Sequence, residues 1–130
     1  TPEAVYSALQ RAPAHLSRSK MAELGAIEGT YWAMVDSAQA ALMMLGKLPP
    51  SPEHITQMLK ENFTDKKMLH PDYLNWYRDL FTLHKSIMHR EISQVKGIDI
   101  DMWQDRAQKF IMKMTQIIDQ LIELDRHKVN

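Results

Sequence analysis

The sequence predicts an all-α fold, an antiparallel bundle of four to five helices. Three observations carry this. Apolar residues recur at helical spacing, and no segment alternates apolar with polar residues as a strand would. Gly is scarce, at 4 of 130 residues, and the helix formers Ala, Leu, Met, Gln and Lys are abundant. Short links rich in Gly or Pro separate the helical stretches.

Thr1-Pro2-Glu3 is a helix start: a hydroxyl cap, Pro at the first helical position and an acid in the first turn. Val5, Leu9, Ala12 and Leu16 continue with helical spacing. Pro13 is expected to kink or interrupt this segment, and Gly25 to break it. Ala26 to Leu45 reads as a second helix, apolar almost all round and therefore central. Its small residues Ala33, Ala38 and Ala41 allow close helix approach. Gly46 ends it, and Leu48-Pro49-Pro50 makes a rigid connector. Ser51-Pro52-Glu53 repeats the start signal for a short third helix with Ile55, Met58, Leu59 and Phe63 on one face. Thr64 to Lys67 reads as a polar loop. The fourth helix is expected over Asp72 to Lys96, capped by Asp72 and ended by Gly97. The fifth, capped by Asp99 or Asp101, runs to about Asp125. Its inner face holds Trp103, Ala107, Phe110, Ile111, Met114, Ile117, Ile118, Leu121 and Ile122.

The length fits one domain spanning residues 1–130, large enough to bury a core without staples. Lys plus Arg and Asp plus Glu are both 16, which argues against a general nucleic-acid coating protein but leaves room for a local basic cluster. With no Cys there is no disulfide framework and no thiolate metal site, and a reducing cytoplasm is the expected compartment. No apolar run reaches the roughly 18 residues of a membrane span, so no membrane partner is expected. The chain opens on Thr1, so it is expected to be processed or cut from a longer protein.

Chemistry concentrates in the fourth helix. At about 100° per residue, Arg78, Lys85 and His89 fall within an arc of roughly 40° and form one stripe. Two cations and an imidazole suit an anionic ligand such as a phosphate, with the His as acid or base. The same stripe also suits a solvated edge paired with neighbouring carboxylates. His84 falls inside the apolar half, where a packed histidine is the plainer reading, and Arg90 stands apart. The 6 histidines are scattered without metal-ligand spacing, and no Gly-rich phosphate loop or Gly-x-Ser-x-Gly elbow occurs. No cofactor and no metal are expected.

Tyr31-Trp32-Ala33-Met34-Val35-Asp36-Ser37-Ala38-Gln39-Ala40-Ala41-Leu42 resembles the aromatic-aromatic-Ala-Met…Ala-x-x-Leu helix of HEPN (higher eukaryotes and prokaryotes nucleotide-binding) domains. Gly46-Lys47-Leu48-Pro49-Pro50, followed by His54, Ile55, Leu59 and Phe63, resembles the family's Gly-x-x-Pro connector and short third helix. Leu83-His84-Lys85-Ser86-Ile87-Met88-His89 resembles a helix of the nucleotidyltransferase-associated branch. Gly97, Asp101, Ala107, Phe110 and Met114 suit the last helix. The resemblance covers about Ala26 to Ile118.

The resemblance implies a helical module that forms a homodimer, binds a nucleotide or substrate, and partners a minimal nucleotidyltransferase in the same or an adjacent chain. In that reading Arg78, Lys85 and His89 are the phosphate-binding residues. Some family members are metal-independent RNases of the toxin kind, whose signature is Arg, a short spacer, then His. Arg78…His84 fits that spacing, although the two project about 120° apart on a regular helix. A second register places His89 at the family histidine. His89 and His84 are thus the catalytic candidates if RNA is the substrate. A ligand-free scaffold is the third reading.

Overall fold

The computed structural model describes residues 2–129; Thr1, the expected cap, lies outside them. Among the described residues all regular structure is helical. The helices are α1 (Pro2–Met43), α2 (Ile55–Leu59), α3 (Pro71–Met88) and α4 (Gly97–Val129). A 3₁₀ turn at Pro52–His54 leads into α2, and a π turn at Lys60–Thr64 continues it.

The expected division between a first and a second helix does not occur. α1 passes through both Pro13 and Gly25. Proline removes one backbone donor and crowds the carbonyl one turn back, yet the helix continues across it, between the helix formers Ala12 and Ala14. Five expected helices become four. The inner half of α1 buries Ile27, Tyr31, Met34, Val35, Ala38 and Leu42. The outer half buries nothing: residues 2–22 are all exposed. They form a rod of about 31 Å at 1.5 Å per residue. Val5, Tyr6, Leu9 and Leu16 stand 58% to 66% exposed on it.

The helix directions follow from shared contacts. Tyr31 of α1 stacks on His84 of α3, and Met21, Leu24 and Glu28 share a cavity with Ile87 and Met88. α3 therefore runs antiparallel to α1. Leu83 lies beside Trp103, Arg106 sits over the Trp76 ring, and Tyr73 meets Phe110, so α3 is antiparallel to α4 as well. α1 and α4 are consequently parallel, and the up-down bundle is completed by α3 alone among the long helices. α1 and α4 make the most extensive helix pair. Ala38, Ala41 and Ala107 are buried in the core, small side chains that let helix backbones approach closely. Ile111 and Ile122, expected on the inner face of the last helix, are instead 37% and 38% exposed.

Tyr77 is the centre of the core. Its ring lies 6.4 Å from that of Tyr31 on α1, 6.4 Å from Phe81 on α3 and 6.3 Å from Phe110 on α4. Its hydroxyl donates to the Pro52 carbonyl at 2.9 Å, which ties the turn before α2 to α3. Burial, together with the nearby Tyr31 hydroxyl, pushes its pKa up, so it stays a neutral donor.

Three helical segments end alike. A residue just past the helical end takes a left-handed conformation, and two backward bonds close the last turn. Gly46 (φ 68°) ends α1, with Lys47 N–H donating to Leu42 at 3.1 Å. Lys67 (φ 62°) ends the π turn, with Met68 N–H donating to Phe63 at 2.8 Å. Arg90 (φ 59°) ends α3, with Glu91 N–H donating to Ser86 at 2.9 Å. Thus α3 stops at Met88, not at Lys96, and Gly97 opens α4 where a stop was expected. At the other end of α3, His70 and not Asp72 is the cap. Pro71 holds the preceding residue extended, and His70 Nδ1 accepts from the Asp72 amide at 3.1 Å.

Tyr77→Phe should lower stability by about 1–2 kcal/mol in urea unfolding, because the Pro52 carbonyl loses its donor. Phe110→Ala should cost about 3–5 kcal/mol through loss of burial and an unfilled cavity. Arg90→Gly should stabilise by about 0.5–1 kcal/mol, the left-handed penalty less glycine's entropic cost. A destabilised Arg90→Gly would refute the cap assignment.

Candidate functional site

Arg78, Lys85 and His89 lie exposed along α3 and its end. The Arg78 guanidinium donates to Asn75 Oδ1 at 3.1 Å, and the Lys85 ammonium sits 5.8 Å from the centre of the Phe81 ring. His89 is the C-cap, outside the regular helix, with φ −85° and ψ 7°. At 1.5 Å per residue, Lys85 is about 10 Å and His89 about 16 Å along the axis from Arg78. One phosphate accepts bonds from donors converging on one point. The three residues therefore line a rail suited to an extended polyanion and do not close on a single phosphate.

His84 is placed differently. It is half-buried, with its ring stacked on Tyr31 at 4.1 Å and 7°, and edge-on to Trp32 at 6.1 Å. It lines a cavity of about 200 Å³ with Glu28 between α1 and α3. Burial pushes its pKa below the ordinary 6.5, and the Glu28 charge opposes that shift. Held below 6.5 by burial, the imidazole is neutral near pH 7, and the stack fixes its ring plane. Arg78, the sequence partner of His84 in the Arg…His spacing, bonds Asn75 on its own helix and does not line this cavity. That Glu28 shares this cavity with His84 was not legible in the sequence, since the two lie on helices far apart in the chain.

Sequence reasoning also missed the polar corner behind α2. Asn62 is buried; its Nδ2 donates to the Met58 carbonyl and its Oδ1 accepts from the Lys47 ammonium, both at 2.7 Å. Two residues on, the Thr64 hydroxyl is buried with no partner among the described residues. Both lie in the π turn, a geometry that widens the helix and exposes backbone groups at functional sites. Among the described residues no three His, Asp or Glu side chains gather as a metal ion would require. No helix among them is long and apolar enough to cross a membrane.

Comparison with protein-family models, with curated proteins and with solved structures finds no match for the chain.

Because folding lowers the His84 pKa, the unfolded chain takes up its proton first as pH falls through 6.5. His84 thus contributes a loss of stability on acidification that is absent at neutral pH. His84→Phe keeps a ring on Tyr31 and removes the proton site. Between pH 7.5 and 5.5, thermal melts should fall less for His84→Phe than for the parent chain, with the curves meeting near neutrality. Parallel curves would show that His84 is not desolvated.

Proposed function

We propose that the chain is a non-catalytic helical association module, with a second copy of itself as its first partner. One observation carries this reading: the apolar face of the outer half of α1 is uncovered over some 20 residues. Val5, Leu9, Ala12 and Leu16 repeat at the spacing of a helix-packing seam, yet no helix among the described residues reaches them. Monomeric proteins rarely keep so long an apolar stripe in water, and a homodimer would cover it. The HEPN resemblance supports the same role, as helical partner of a nucleotidyltransferase in the same chain or another. In that role the rail of Arg78, Lys85 and His89 contacts the phosphates of a nucleotide or RNA held between the partners.

The test is the molar mass in solution. The parent should elute with the mass of two chains by light scattering, and Leu9→Glu with Leu16→Glu should give one. Circular dichroism at 222 nm should keep most of the helical signal from the core. A parent that is monomeric at high micromolar concentration would refute the association reading.

A second reading, a metal-independent RNase, draws on the His84–Glu28 cavity. A carboxylate beside a neutral imidazole is an arrangement used for general-base work on an RNA 2′-hydroxyl. Incubation with RNA in EDTA separates the two. The RNase reading expects a cyclic-phosphate product that disappears in His84→Ala or His89→Ala, and the association reading expects intact RNA.

A further inference from the structure

We infer that the corner between the π turn and α3 is a binding site for a phosphate monoester, separate from the α3 rail and independent of self-association. A cavity of about 490 Å³ opens there, lined among others by Thr64, Lys67, His70, Tyr73 and Lys113. These residues come from three elements: the π turn with its end, the start of α3 and the middle of α4.

The charge of the lining is one-sided. Lys113 is half-buried, yet among the described residues neither it nor Lys67 has a carboxylate within ion-pair distance. Burying an ammonium partway without a counter-charge costs solvation, and an anion in the cavity would offset that cost. Two acids stand near. Asp65 is engaged by Lys60 at 3.2 Å, and the Asp72 carboxylate lies 3.5 Å from His70 Nδ1. Neither lines the cavity.

The donors suit phosphate oxygens. Because His70 Nδ1 accepts from the Asp72 amide, the neutral ring carries its proton on Nε2, which remains a donor. The buried, unpartnered Thr64 hydroxyl belongs to the same lining, and a ligand oxygen would supply its missing bond. Two ammonium groups, an imidazole N–H and a hydroxyl match the several acceptors of a dianion better than one carboxylate. The cavity exceeds a bare phosphate, and Tyr73, Met68 and Leu69 give it an apolar wall for the organic part of the ester. Lys67 adds a separate indication. Its backbone is left-handed, a conformation that glycine adopts without strain, and the chain places a cation there.

Titration with phenyl phosphate, followed by amide NMR, tests the site, with inorganic phosphate and phenol as the two halves of the ligand. Phenyl phosphate should shift the amides of residues 64–73 and of Lys113, and bind more tightly than inorganic phosphate, while phenol alone leaves them unmoved. Lys67→Gly removes a charge at a position where glycine fits the backbone, so loss of binding there is not loss of fold. It and Lys113→Met should each weaken binding about tenfold, and Lys113→Arg should largely retain it. Thr64→Val should weaken binding while leaving the thermal midpoint unchanged or raised. No shift at about 10 mM phenyl phosphate, or equal affinity in Lys67→Gly and Lys113→Met, overturns the assignment. The monomeric Leu9→Glu, Leu16→Glu protein should bind the ester as the parent does, which keeps this test apart from that of self-association.

Discussion

The structure depends on Tyr77. Its ring meets aromatic neighbours on α1, α3 and α4, and its hydroxyl fastens the turn before α2. Four segments distant in sequence therefore share one side chain. A phenylalanine would keep the ring contacts and leave the Pro52 carbonyl without its donor, so the hydroxyl is what links packing to the position of the short corner helix. The same corner is held further by Ile55, Leu59 and Phe63, all fully buried in the core, and by the Lys47–Asn62 bond.

Local signals made the helical class legible. The buried positions of α1 and α4 follow the expected apolar spacing, and Ile55, Leu59 and Phe63 of the corner are buried as their periodicity implies. The ends were harder to read. A stop signal was sought in glycine, but Arg90 occupies the left-handed position that closes α3, and backward bonds from Arg90 and Glu91 complete it. Gly97 then looked like a stop when it is a start. Similarly Pro13 reads as a break, yet α1 continues through it. The expected antiparallel course holds for α3 against α1 and α4, while α1 and α4 run parallel; that relation rests on direct packing between distant segments, which no local signal carries.

The chemistry-bearing residues show the same division between local and distant information. The stripe of Arg78, Lys85 and His89 was found by spacing alone, and spacing also explains its limit: residues on one face of a helix are separated along the axis. Groups that converge come from different elements. His84 meets Glu28 and Tyr31 across α1 and α3, and Lys113 joins Lys67 and Thr64 across α4 and the corner. No periodicity links such residues, so a reading of one helix at a time passes over them.

The parallel course of α1 and α4 has an electrical consequence. Peptide dipoles sum along a helix, leaving partial positive charge at its start and partial negative charge at its end. In an up-down pair these ends cancel, but here two long helices point the same way and only the 18-residue α3 opposes them. Side chains offset that sum: Glu3 and Asp99 stand in the first turns of α1 and α4, and Arg126 and Lys128 in the last turn of α4, each opposite in sign to the helix end it occupies.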